Sequence, residues 1–144
     1  MDTSETYIKM CEKATEIRAN HEYVEGDIVA YLRSKNYQKF SWASEGKPQI
    51  ELYVEGHIFD ITKIEFCWLP RQDQLQEMVP TKIAGTKPNL KMISEFTHFF
   101  DYWDTMGIPA ILTTWEQLWL AFVMKEKYNK AWNGEDWIVG LLKR

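Results

Sequence analysis

The stretch that most restricts how this chain can fold lies at residues 113–137. It holds four of the seven tryptophans, Trp115, Trp119, Trp132 and Trp137. Trp115, Leu118, Trp119 and Phe122 recur at helical spacing, and Leu120, Val123 and Met124 widen the stripe. Thr113 and Glu116 read as a T-x-x-E capping box, which gives the first amide groups of a helix their hydrogen-bond partners. A helix that is apolar around most of its girth up to Lys125 must be covered on several sides, so it belongs to the core. Beyond it, Asn133-Gly134 reads as a helix stop and turn. Glu135 and Asp136 then read as caps of a last short helix running to Leu142.

The 144 residues suit one domain, 1–144, and 45% hydrophobic with 15% aromatic residues can build a real core. Intrinsic disorder is excluded, because it needs low hydrophobicity and high net charge. With 17 basic against 21 acidic residues, the net charge of −4 argues against a general duplex-DNA binder, which relies on cations displacing counterions from phosphates. Cys11 and Cys67 form neither a C-x-x-C pair nor a disulfide-dense pattern, and both read as small buried hydrophobes. The start, Met1-Asp-Thr-Ser-Glu, lacks the basic region and apolar run of a secretory signal. No segment reaches the ~18 consecutive apolar residues of a spanning helix. The expectation is a soluble, cytoplasmic protein with no membrane association.

Residues 2–19 predict one amphipathic helix, capped by Asp2 or Thr3, with Tyr7, Met10, Cys11, Ala14 and Ile17 on the apolar face. Then the texture changes. Ile28-Val-Ala-Tyr-Leu is too short to discriminate strand from helix by period, but the Gly26-Asp27 turn signal and the β-branched residues favour a strand. Residues 49–55 and 57–61 flank Gly56 as two short strands, and Ile64-Glu-Phe-Cys-Trp-Leu has the same character. Pro70 opens a short helix over 71–79, with Leu75, Met78 and Val79 on its apolar face. Asn89 caps a helix carrying Met92, Ile93, Phe96, Phe99, Phe100 and Trp103. The fold class is therefore α+β. It is expected to hold a small antiparallel sheet of three or four strands over residues 27–69, packed with four or five helices that include the tryptophan-rich one.

Little in this chain points to chemistry. Glu95-x-x-His98 places both side chains on one helix face, as in half of a di-iron motif, but no second Glu-x-x-His exists. The flanking Asp101 and Asp104 make a solvated face the better reading, and no metal site is expected. No G-x-S-x-G elbow, Walker-type loop or G-x-G-x-x-G occurs, so neither a catalytic set nor a cofactor site is assigned. Cys67 reads as a buried thiol rather than a nucleophile activated by a helix start. Glu135-Asp136 is better explained by capping than as a hydrolytic carboxylate pair, whose separation across a cleft the sequence does not give.

Two binding surfaces remain. Lys82, Lys87 and Lys91, with no acid between 81 and 91, are candidate nucleic-acid contacts, joined by Lys125, Lys127, Lys130, Lys143 and Arg144 near the carboxyl end. Gln72, Gln74 and Gln76 read as an ordinary wet helix face. Trp132 and Trp137, outside the regular stripe, either clasp the neighbouring helix or, with Glu135 and Asp136, anchor a protein partner.

Two strings carry a resemblance. Cys67-Trp-Leu-Pro-Arg-Gln-Asp-Gln-Leu-Gln-Glu-Met-Val79 resembles a segment of small proteins carried by phages and prophages of Gram-positive and gut bacteria. Thr114-Trp-Glu-Gln-Leu-Trp-Leu-Ala-Phe-Val-Met-Lys-Glu-Lys-Tyr-Asn-Lys-Ala-Trp-Asn-Gly-Glu-Asp-Trp137 is similar to the carboxyl-terminal signature of the same group. Together they span about a quarter of the chain. The resemblance implies a phage or mobile-element origin and a place in the host cytoplasm; it implies no activity and transfers no site residue. The expected function is that of a non-enzymatic accessory protein that binds another protein or a second copy of itself. The alternative is a nucleic-acid-associated factor using the lysines.

Overall fold

Five helices and seven strands make up the residues described by the computed structural model: 1–24, 26–31, 37–39, 49–52, 57–60, 66–79, 88–104 and 112–139. The protein is of the α+β class. The chain divides into two units, Thr3–Pro70 and Met1–Asp2 with Arg71–Arg144.

In the first of these, Thr3–Pro70, helix α1 (Glu5–Lys13) starts at Ser4, whose hydroxyl accepts the Tyr7 amide at 3.2 Å. Neither Asp2 nor Thr3 caps it. The expected apolar face is present, since Tyr7, Met10, Cys11, Ala14 and Ile17 are all buried. The single helix expected over 2–19 is instead two. At Ala14 the backbone leaves helical geometry (ψ 61°), its amide shared between the Met10 and Cys11 carbonyls, and α2 (Thr15–Ala19) comes next. Alanine is the best helix former, so no local preference marks this break.

Strand β1 (Ile28–Tyr31) settles the strand-or-helix question for its segment. It lies between β2 (Tyr37–Lys39) and β5 (Phe66–Leu69), antiparallel to both, with Val29 opposite Gln38 and Trp68. Strands β3 (Gln49–Leu52) and β4 (His57–Asp60) form a separate antiparallel pair, Leu52 opposite His57. Residues 27–69 thus hold the small antiparallel sheet expected there, the three strands β2, β1 and β5, together with a separate described pair, β3 and β4. Gly56, expected in the connecting turn, lies outside the described residues. Cys67, Trp68 and Leu69 are buried in succession. Successive strand residues face opposite sides, so β5 is covered on both. Helix α1 packs against β5, and the Tyr7 hydroxyl donates to the Pro70 carbonyl at the strand's end.

In the other unit, α3 (Gln72–Glu77) buries Leu75 and packs on α5 (Trp115–Tyr128). Its N-cap is Arg71, whose amide donates to Gln74 Oε1 at 2.9 Å, so Pro70 precedes the cap rather than opening the helix. Helix α4 (Pro88–Asp104) does open on proline, which leaves Asn89 inside the first turn instead of at the cap. On α5, every residue from Trp119 to Met124 is buried, so the middle of this helix is core on all sides, as its apolar girth requires, while Trp115 at its start and Glu126 and Lys127 near its end are exposed.

The cap of α5 lies one residue later than the T-x-x-E reading. The Thr114 hydroxyl accepts the Gln117 amide at 3.2 Å, and Gln117 Oε1 accepts the Thr113 amide at 2.9 Å. The buried Asp2 carboxylate completes the arrangement, accepting from Thr114 Oγ1 at 2.6 Å and from Gln117 Nε2 at 2.8 Å. A carboxylate at a helix start also meets the positive end of the helix dipole.

Asn129, in the left-handed region at φ 51°, ends α5. The short helix expected from 135 to 142 is not what the chain forms next. Instead it makes a hairpin of β6 (Lys130–Trp132) and β7 (Trp137–Val139), with Trp132 directly opposite Trp137. Asn133 builds the turn: its side-chain oxygen accepts the amides of Glu135 and Asp136 at 2.8 and 2.7 Å, and its own amide donates to the Asp136 carbonyl. Gly134 takes φ 102°, which an L side chain rarely adopts. The same Asn-Gly dipeptide that can stop a helix here turns a hairpin, because a cross-strand indole pair rewards that choice.

Candidate functional site

Phe96 on α4 is the centre of an aromatic cluster in the unit that contains α5. Its ring stacks on Trp119 at 4.2 Å, meets Phe100 edge-on at 4.7 Å and Phe122 at 5.5 Å, and lies 6.4 Å from Trp115. Such offset and edge-on pairs add stability beyond the area they bury. The two α5 tryptophans differ sharply in burial. Trp119 is 4% exposed, whereas Trp115, one turn earlier and at the helix start, is 61% exposed.

On α4, Leu90 and Ile93 are 60% and 54% exposed. Single exposed apolar side chains are ordinary. These are not scattered singly: Leu90 and Ile93 share a helix face at spacing i, i+3, and Ile93 precedes Phe96 by one turn. Leu90, Ile93 and Phe96 therefore form an apolar ridge along α4, which at Phe96 reaches Trp115 at the start of α5, the ring centroids 6.4 Å apart. Apolar side chains grouped on a helix face give a partner area to bury, which is what a protein-binding surface needs.

The residues expected to form sites are placed differently. Trp132 and Trp137 are 2% and 6% exposed and pack on each other, ring centroids 5.1 Å apart. Glu135 and Asp136 stay exposed in the turn, where Asp136 Oδ1 accepts the Trp137 amide at 2.7 Å. Lys91 is exposed on α4, while Lys82, Lys87, Lys143 and Arg144 lie outside the described residues. Lys125 donates to Asn129 Oδ1 at 2.7 Å, and the Lys127 ammonium lies over the Tyr128 ring at 5.7 Å. Half-buried Glu95 and exposed His98 lie on α4, and Glu135 lies in the hairpin turn. Among the described residues, no group of three His, Cys, Asp or Glu side chains is placed to hold a metal ion.

The Thr3–Pro70 unit brings together a polar group that sequence reasoning missed. His21 Nε2 lies 2.6 Å from Asp27 Oδ2, which also accepts the Val24 amide at 2.9 Å. The imidazole stacks flat on Trp68 at 3.3 Å, and Tyr23 meets it edge-on. Burial, with Cys67 and Asp27 adding to it, raises the Tyr23 phenol above its ordinary value, against a lowering by Arg18. Burial likewise pushes the Cys67 thiol up to about 12, only partly offset by Arg18. A fully buried thiol that keeps its proton is no nucleophile at neutral pH. The only sequence signal for this cluster was the Gly26-Asp27 turn; His21, Tyr23 and Asp27 are close along the chain, but Trp68 and Cys67 are brought to them by β5.

Comparison with protein-family models, with curated proteins and with solved structures gives no match. Among the described residues no helix is long and apolar enough to cross a membrane.

Proposed function

We propose that this protein is a phage- or prophage-type accessory protein of the host cytoplasm that works by binding another protein rather than by catalysis. The phage-type origin and the location rest on the two resembling strings, 67–79 and 114–137. The binding role rests on Trp115. That indole is 61% exposed at the start of a helix whose middle, Trp119 to Met124, is core, and it meets Phe96 on the α4 ridge that also carries Ile93 and Leu90. Tryptophan is among the residues most over-represented where binding energy concentrates, and the buried middle of α5 fixes the backbone that carries this one.

The test is site-specific photo-crosslinking from position 90 or 93 in host cells, paired with sedimentation of the purified chain. A crosslinked protein, or a dimer, that disappears with Trp115→Ala while the fold is intact supports the reading. A monomer that crosslinks to nothing from either position overturns it. Retention on DNA or RNA at low salt, lost when Lys82, Lys87 and Lys91 become Glu, would move the assignment to a nucleic-acid-associated factor.

A further inference from the structure

We draw no further inference here: the strongest candidate, the side-chain cluster of His21, Tyr23, Asp27 and Trp68 beside Cys67 in the Thr3–Pro70 unit, carries nothing because its imidazole and carboxylate satisfy each other, its neighbouring thiol stays protonated, and nothing in the structure shows what it would bind.

Discussion

Trp115 and Trp119 on α5 and Trp132 and Trp137 in the terminal hairpin are two tryptophan pairs separated by nearly the same number of residues, and they end in opposite situations. On the helix, a spacing of four puts both rings on one side, one turn apart. Only the inner one finds cover on all sides, because the outer one stands at the helix end. In the hairpin, a spacing of five around a four-residue turn puts the rings directly across from each other, where each buries its partner. Sequence spacing therefore decides which residues are neighbours. The end or middle position within the element decides whether a neighbour is also a shield.

The largest effect expected from this comparison is at Trp119. Replacing it with alanine empties the centre of the Phe96 cluster and should cost about 3–5 kcal/mol, read from the shift of a urea unfolding curve. A loss far smaller than that would place Trp119 on a wet surface and erase the contrast with Trp115. Trp137→Ala should cost toward the lower part of the same range of about 3–5 kcal/mol, since the pair lies in a hairpin of two three-residue strands. If its cost instead equals that of a surface change, the two indoles do not shield each other.

Asp2→Ala tests what holds the exposed member in place. It removes the acceptor shared by Thr114 and Gln117, leaves the buried Gln117 amide group short of a partner, and should cost about 1–2 kcal/mol. An unchanged unfolding midpoint would mean that the Thr114 cap suffices alone. Gly134→Ala places a side chain at φ 102°, where open space surrounds it but the backbone disfavours it, and should destabilise by about 1 kcal/mol or slightly more. A stabilised variant would show that the turn takes another backbone form. Smallest for stability is Trp115→Ala, expected within about 0.5 kcal/mol of the parent. That variant should nevertheless abolish partner crosslinking, and it is this split between stability and binding that separates the two members of the helix pair.

The features legible in the sequence were those with local causes. The buried face of α1 and the all-round burial of the middle of α5 come from apolar periodicity, and β1 from a Gly-Asp turn before a β-branched run. The hairpin was not legible, because Asn-Gly serves equally as a helix stop and as a turn, and only the Trp132–Trp137 contact chooses between them. The break at Ala14 runs against local preference and so had no signal at all. The ridge was half legible: Trp115 falls on the stripe of α5, but nothing along the chain said that the stripe is left uncovered at its first turn.

By itself, then, the sequence determined a tryptophan-rich core helix, an α+β class and the absence of familiar catalytic or cofactor-binding motifs, because periodicity, turn chemistry and motif spacing act over a few residues. The tertiary structure alone decided that Trp132 and Trp137 face inward and that Trp115 stays out. It likewise decided that Asp2 serves a helix beginning more than a hundred residues later in the chain, through a bond spanning 112 positions. Burial and long-range hydrogen bonds depend on what the rest of the chain brings alongside, and no window of sequence contains that.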